Sequence, residues 1–135
     1  MKVVNNTVVS SAPELFGTGV SLLFDEAAKL NLRIITGKTS MDRNAPKELC
    51  DETALTYEEN NDLIALYNSK ERLNYAFTPR FAITSTEEQL EALANLKKEY
   101  PSIPIQTHIS ENIEEVESTK RLFPKAKSYL DVYDS

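Results

Sequence analysis

The sequence is poor in the residues that most often build covalent or metal-stabilised sites. Its 135 residues include one cysteine, one histidine and no tryptophan. The single cysteine, Cys50, cannot form a disulfide within the chain, and its isolation excludes a zinc cluster of several thiolates. Cys50 has no basic or histidine neighbour in the sequence to activate its thiol, so we expect it to be inert.

Glycine is almost as rare, with three residues in the whole chain. Phosphate-binding loops need several glycines at fixed spacing, because the backbone must approach the phosphates closely. Neither the G-x-G-x-x-G pattern nor a P-loop can be assembled from Gly17, Gly19 and Gly37. The sequence therefore argues against a dinucleotide-binding or nucleoside-triphosphate-binding fold.

An excess of positive charge and long apolar runs are also missing. The formal net charge is −6, which gives no electrostatic reason to expect a nucleic acid or an anionic membrane as a partner. The longest apolar runs are only a few residues, too short to span a bilayer. The first residues lack the apolar core and the cleavage site of a signal peptide. We therefore expect a soluble, cytoplasmic protein.

What the sequence does contain is the composition of one globular domain, or of part of a larger one. Hydrophobic residues make up 41% and charged residues 27%, and these proportions are ordinary for a folded protein. Strand and helix patterns alternate along the chain. The predicted strands are 2–10, 32–36, 73–77 and 103–109. The predicted helices are 22–30, 56–67, 85–100 and 112–123.

This alternation, with units of about 30 residues, predicts an α/β fold with a parallel sheet and right-handed crossovers. Four such units amount to half of a (β/α)8 barrel. Hydrogen-bonding residues mark several boundaries. Thr56, with Glu59 three residues later, has the pattern of a capping box at the second helix. Either Ser85 or Thr86 gives the same signal at the third helix. Pro79 lacks a backbone donor and helps to end the third strand.

The only histidine stands where the last predicted strand ends. Strand alternation places Gln106 and His108 on one face. In a barrel that face is the interior, near the mouth where such proteins carry their chemistry. A neutral imidazole there can ligate zinc, although one ligand does not make a site. The alternative is a hydrogen-bonded polar residue at a strand end.

Glu111 lies three residues beyond His108. It could reach the same pocket and carry protons beside a metal-bound water. Alternatively, it is a carboxylate at a helix N-terminus that interacts with the helix dipole, with Ser110 as a nearby cap. The following pair, Glu114 and Glu115, is predicted to lie on a solvated helix face.

Arg80 and Phe81 stand at the same edge, one strand earlier. Arg80 offers fixed, planar donors to a carbonyl or a ring nitrogen, and Phe81 offers a stacking face. Alternatively, Arg80 is a surface residue and Phe81 a core residue. In the preceding strand-end loop, Asp42 and Arg43 are most simply a local ion pair.

Three of these segments together carry a specific resemblance. Residues 37–46 (GKTSMDRNAP), 78–82 (TPRFA) and 106–112 (QTHISEN) resemble the guanine deaminases of the amidohydrolase superfamily. The tail over 123–134 is similar to that family as well. The similarity extends over nearly the whole chain from about residue 20, in the family's order and spacing.

The resemblance implies a zinc-containing (β/α)8 barrel, commonly a homodimer, that hydrolyses the small molecule guanine to xanthine and ammonia. Residues 1–135 would form about strands two to five of that barrel with their helices. The resemblance implies that His108 is a zinc ligand and that Glu111 is the catalytic proton carrier. Arg80 and Phe81 would bind guanine. Zinc would make hydroxide available from water near neutral pH.

The same resemblance implies that the zinc site is incomplete within this sequence. The family takes an H-x-H pair from its first barrel strand, a histidine from the sixth and an aspartate from the last, whereas this sequence has one histidine. We therefore interpret residues 1–135 as an internal fragment that lacks the first and the last strands and is inactive alone. The alternatives are a non-catalytic half-barrel interaction module and an amidohydrolase that acts on another aminated heterocycle.

Overall fold

Two small sheets and the helices packed on them make up the fold. The computed structural model describes residues 2–4, 7–10 and 18–134. The strands are β1 (Lys2–Val4), β2 (Thr7–Ser10), β3 (Arg33–Thr36), β4 (Thr39–Ser40), β5 (Leu73–Tyr75) and β6 (Thr78–Pro79). The helices are α1 (Thr18–Lys29), α2 (Thr56–Tyr67), α3 (Glu87–Glu99), α4 (Ile113–Leu122) and α5 (Asp131–Asp134). The predicted alternation of strands and helices is confirmed as far as α3.

The larger sheet has the strand order β1-β2-β3-β5. β2, β3 and β5 pair in parallel, and Ile34 of β3 lies opposite Val8 on one side and Leu73 on the other. β1 and β2 pair antiparallel, so the prediction of a single strand over residues 2–10 was wrong. The repeated valines gave the same strand signal before and after the chain reversal, and that signal alone does not show where a chain turns.

β3 and β5 each continue, after a short break, into a strand of the smaller sheet. There β4 and β6 pair in parallel, with Thr39 opposite Thr78. Across the break, the backbone N–H of Ala76 donates to the Thr36 carbonyl at 2.8 Å. The connection between the two sheets is therefore hydrogen-bonded. Pro79 is the last residue of β6, as its missing donor predicted.

The strand predicted over residues 103–109 was wrong in most of its length. Of residues 103–109, all of which the structure describes, only Ile105 forms a β-bridge, and its partner is Phe77. Phe77 donates its N–H to the Pro104 carbonyl at 2.9 Å and accepts from the Gln106 N–H at 2.9 Å. Pro104 cannot donate to a ladder, and β6 offers only two residues to extend one. From Gln106 to Asn112, where α4 is about to begin, the chain is irregular.

The helix caps follow the sequence signals in part. Thr86 caps α3 by accepting a hydrogen bond from the Gln89 N–H at 3.2 Å, which confirms the second of the two predicted caps. Thr56 does not cap α2 but is its first residue, and the cap residue Leu55 makes no side-chain bond. The reason is that a 3₁₀ turn, Thr53–Leu55, runs directly into the helix.

Aromatic side chains hold α1 and α2 on the strands. Phe24 of α1 stacks on Tyr67 of α2 with 4.6 Å between ring centroids, and Tyr75 meets Phe77 edge-on at 6.0 Å. Such pairs add to the stabilisation from burial. The other core side chains are aliphatic: Val20, Ala27, Ile34, Leu63, Ile64, Leu73, Leu93, Leu96 and Ile103. None of the helices in the described ranges is long and apolar enough to cross a membrane.

Lys38 lies in the break between β3 and β4 and is buried with its charge paired. Its ammonium contacts the carboxylate of Asp51 and, at 3.1 Å, that of Glu59 in α2. Asp51 also accepts the backbone N–H of Met41 at 3.0 Å. Burial raises the pKa of Asp51 above its usual range, and Lys38 offsets part of that shift. The pair ties the strand ends to the segment before α2.

Gly37 approaches the neighbouring strand too closely to carry a side chain. A Cβ atom at Gly37 would lie 1.8 Å from the carbonyl oxygen of Ala76. Because that oxygen belongs to the backbone, the strands would have to separate, and we expect Gly37→Ala to lower the free energy of unfolding by about 2 kcal/mol or more. Urea unfolding followed by circular dichroism measures the change. The control is Gly19→Ala at the exposed second residue of α1, which should change the free energy of unfolding by no more than about 0.5 kcal/mol. Equal midpoints for Gly37→Ala and the parent chain would contradict the close approach.

Removing the Lys38 charge should leave a partly buried carboxylate without its cation. The side chains of Lys38 and Asp51 are 3% and 12% exposed, so we expect Lys38→Met to lower the free energy of unfolding by about 3 kcal/mol. The matched control is Lys29→Met, which breaks the exposed pair with Glu26 and should leave the urea midpoint almost unchanged. Similar small effects of both substitutions would contradict a structural role for the buried pair.

Candidate functional site

One backbone carbonyl, that of Arg80, joins the two segments that carry the predicted site residues. Arg80 follows β6, and its own N–H donates to the Ser40 carbonyl at 3.0 Å. Its carbonyl oxygen accepts from the N–H of His108 at 3.0 Å and lies 3.0 Å from the Nδ1 atom of the same residue. Thr107 Oγ1 donates to the same oxygen at 3.3 Å. The structure thus brings Arg80 and His108 together, because the carbonyl oxygen of Arg80 contacts both the backbone N–H and the imidazole of His108.

This contact determines the tautomer of His108. A carbonyl oxygen can only accept a hydrogen bond, so Nδ1 must carry the proton. The neutral ring then presents the lone pair of Nε2, which is the usual arrangement of a histidine that binds a metal. The donor chemistry of His108 therefore fits a zinc ligand. Within residues 2–4, 7–10 and 18–134, no three side chains of His, Cys, Asp or Glu are grouped so that they could hold a metal ion.

Arg80 and Phe81 form a pair of their own at the end of β6. The guanidinium of Arg80 lies 4.9 Å from the centroid of the Phe81 ring, within the range of a cation–π contact. Both side chains are half-buried, so Phe81 is not the core residue of the alternative interpretation. Their exposed parts can present donors and an aromatic face to a flat ligand.

Glu111 is exposed on the loop between His108 and α4. The residue before it, Ser110, has a positive φ of 56°, which turns the chain sharply. The N-cap of α4 is Asn112, whose side chain accepts from the Glu115 N–H at 2.9 Å. The suggestion of Ser110 as the cap was therefore wrong. Glu111 precedes the cap and lies outside the first helical turn.

Two residues of the 37–46 segment hold the turn that follows Phe81. Asp42 accepts from the Thr86 N–H at 2.8 Å and from Thr53 Oγ1 at 2.8 Å. Arg43 donates to the carbonyls of Ala82 at 3.0 Å and Ile83 at 3.2 Å. The expectation of a local Asp42–Arg43 ion pair was wrong, because these other groups take both side chains. Nothing in the local pattern predicted the partners after Phe81, which lie 39 to 44 residues away.

Three further residues near the loop were missed from the sequence. Glu115 was expected on a solvated face but is only 4% exposed; its carboxylate accepts from Tyr129 and from the Glu111 N–H. Tyr133 donates its hydroxyl to the His108 carbonyl at 3.3 Å. Burial raises the pKa of Tyr129 and of Tyr133 above the usual range, so both hydroxyls remain neutral donors. An adjacent pair of acidic residues does not reveal which one faces inward.

A cavity of about 400 Å³ lies on the helix side of this region. Phe77, Leu90, Ile105, Phe123 and Val132 supply apolar parts of its lining, and Glu87 and Lys125 also border it. None of the predicted site residues lines it. Pro79 and Tyr133 also line the cavity, so it lies next to the strand-end edge where Arg80 and His108 meet without including those two residues.

Comparison with known proteins gives a consistent result. Residues 3–135 match the amidohydrolase family. The guanine deaminase of Escherichia coli strain K12 is 44% identical over 123 residues, which make up 88% of this chain and 28% of that protein. The solved structure of E. coli guanine deaminase matches 96% of this chain and 30% of that chain, with a TM-score of 0.89 and 40% identity. A crystal structure of guanine deaminase from C. acetobutylicum with bound guanine matches 95% of this chain and 30% of that chain, with a TM-score of 0.84 and 27% identity.

These relatives are much longer than this chain, which spans 28% of the E. coli protein. The family match nevertheless covers all but the first two residues of the 135. The similar structures share both the order of the elements and a substantial part of the sequence. The chain belongs to the amidohydrolase family.

Proposed function

We propose that this chain is the part of a guanine deaminase that binds guanine and supplies one zinc ligand and the proton carrier. The observation that carries the proposal is the contact between the Arg80 carbonyl and His108 Nδ1 at 3.0 Å. It joins the residue proposed to bind the purine to the residue proposed to bind the metal. The 44% identity to the E. coli guanine deaminase supports guanine as the substrate.

The finer assignment of the fold belongs to the same proposal. β2, β3, β5 and the segment around Ile105 would be strands two to five of a (β/α)8 barrel. The parallel pairing of β2, β3 and β5 and the parallel bridge between Phe77 and Ile105 support this order. The complete protein would be a cytoplasmic homodimer of purine catabolism.

His108 would hold zinc through Nε2. The hydrogen bond from Nδ1 to the Arg80 carbonyl keeps the ring in the tautomer and orientation that this role requires. The remaining ligands would come from outside the described residues, since the sequence contains no second histidine. When bound, zinc supplies Lewis-acid activation of water close to neutral pH.

Glu111 would move the protons of the reaction. Its carboxylate takes a proton from the attacking water and delivers one to the ring nitrogen of guanine. It then carries the second proton of that water, now on the added hydroxyl group, to the amino group, which leaves as ammonia, so that guanine and water give xanthine and ammonia. The exposed position of Glu111, on a loop three residues from His108, supports this role.

Arg80 and Phe81 would select guanine. A guanidinium donates hydrogen bonds to the purine carbonyl, whereas adenine carries an amino group at that position and offers a donor instead. Leaving buried donors unmatched is costly, so this contact discriminates strongly between the two bases. Phe81 adds an aromatic face for stacking. Other aminated heterocycles and a non-catalytic interaction module remain the competing hypotheses.

The 135-residue chain alone should not turn over guanine, because it supplies one proposed zinc ligand. The loss of guanine absorbance in the ultraviolet, with zinc added, measures this directly. A protein of family length that carries this segment should turn over guanine in the same assay. Zinc-dependent turnover by the 135-residue chain would contradict the argument that one zinc ligand is too few for activity. Absence of guanine turnover by the family-length protein would contradict guanine as the substrate.

In the family-length protein, Glu111→Gln should lower kcat by about a hundredfold or more, because the amide cannot accept the proton. Zinc content, measured by atomic absorption, should stay at the parent level. The matched control is Glu114→Gln, which changes an exposed carboxylate in the first turn of α4 and should leave kcat unchanged. Near-normal turnover by Glu111→Gln would remove Glu111 from the mechanism.

His108→Ala in the same protein should lose zinc together with activity, because a ligand atom is removed. Zinc content and turnover are measured on one preparation, after exhaustive dialysis. Full retention of zinc by His108→Ala would contradict the assignment of His108 as a ligand.

A further inference from the structure

A buried carboxylate stands behind the loop that carries Glu111. Glu115 is 4% exposed, and both of its oxygens have partners. Oε2 accepts from the backbone N–H of Glu111 at 2.8 Å, and Oε1 accepts the hydroxyl of Tyr129. Such hydrogen bonds offset the cost of burying a polar side chain. The two contacts connect the loop to the segment after α4.

The geometry differs from an ordinary capping box. In a capping box, the acidic residue in the first turn accepts from the N–H of the cap residue itself. Here the cap is Asn112, yet Glu115 reaches one residue further, to Glu111. It holds the backbone of the loop and not only the end of the helix. The hydrogen bond from the Glu111 N–H to Glu115 supports the neighbouring positive φ of Ser110, because that conformation is unfavourable for a residue with a side chain.

Tyr133 secures the other end of the same loop. Its hydroxyl donates to the His108 carbonyl at 3.3 Å, and its ring stacks on that of Tyr129 with 6.2 Å between centroids. The two tyrosines therefore contact the loop at His108 directly and at Glu111 through Glu115. Both lie in the tail after α4, so that tail supports the two residues proposed to perform the chemistry.

We infer that Glu115 and Tyr129 are positioning residues that hold the backbone of Glu111 and thereby direct its carboxylate toward the site. The inference rests on the proposed function for the role of Glu111, but the contacts themselves do not. Tyr129 donates to one carboxylate oxygen of Glu115 and leaves the other oxygen to the Glu111 N–H. Loss of the Tyr129 hydroxyl should therefore weaken the hydrogen bond from the Glu111 N–H to Glu115 without removing any group near the substrate.

Amide hydrogen exchange in the 135-residue chain tests the positioning without any need for activity. The Glu111 amide should be protected in the parent chain, and Tyr129→Phe should speed its exchange about two- to tenfold, the effect of one weakened hydrogen bond. Glu115→Gln should do the same, because an NH2 group replaces one of the two acceptor oxygens and cannot accept from the Tyr129 hydroxyl or the Glu111 N–H. The matched control is Tyr57→Phe, which removes a hydroxyl that donates to Glu99 at 2.6 Å far from the loop. It should leave the Glu111 amide unchanged.

Exchange of the Glu111 amide at the rate of an unstructured peptide in the parent chain would overturn the inference. The same holds if Tyr129→Phe and Tyr57→Phe leave its exchange equally unchanged. Faster exchange of the Glu111 amide in Tyr129→Phe, with no change in Tyr57→Phe, would support the inference.

A kinetic measurement separates positioning from general stability. In a zinc-loaded protein of family length, Tyr129→Phe should lower kcat about tenfold, since small misplacements of a reacting group are costly. KM for guanine should stay the same, because Arg80 and Phe81 are untouched. A change in KM alone would overturn the positioning role. If the parent protein does not act on guanine at all, the proposed function fails, and the exchange experiment still decides the contact.

Discussion

The carbonyl oxygen of Arg80 is the acceptor on which the arrangement of the candidate site depends. It accepts hydrogen bonds from the backbone N–H and from Nδ1 of His108, although Arg80 and His108 are separated by 28 residues. One atom therefore joins two strand-end segments and leaves Nε2 of the imidazole with its lone pair. A histidine held in this way needs no conformational search to bind a metal, because its tautomer and ring orientation are already determined.

The loops around this contact are irregular, and buried polar groups hold them in place. Asp42 and Arg43 hold the turn after Phe81 through hydrogen bonds to backbone groups about 40 residues away. Lys38, paired with Asp51, ties the break between β3 and β4 to the segment before α2. Such networks are stabilising only when every member has a partner. They give the strand-end edge a rigidity that loops without regular secondary structure would otherwise lack.

The division of labour in the proposed reaction follows from where each group sits. His108 is half-buried and fixed by two hydrogen bonds to one oxygen, as a ligand must be. Glu111 is exposed at the tip of a sharply turned loop, where its carboxylate can approach both water and a bound ring. Arg80 reaches the same edge with a guanidinium already packed on Phe81. His108 and Arg80, which need a fixed geometry, are held by hydrogen bonds and by the Phe81 ring, and Glu111, which must exchange protons, is exposed.

The sequence by itself determined the alternation of strands and helices, the Thr86 cap and the placing of Arg80 and His108 at one edge of the sheet. These features follow from local periodicity and from the direction of parallel strands, which a short stretch of chain already contains. Only the tertiary structure decided that residues 2–10 contain two antiparallel strands, that residues 106–112 are irregular and that Glu115 is buried. The partners in these cases come from other parts of the chain. A side chain such as Asp42 is surrounded in space by groups that its sequence neighbours do not reveal.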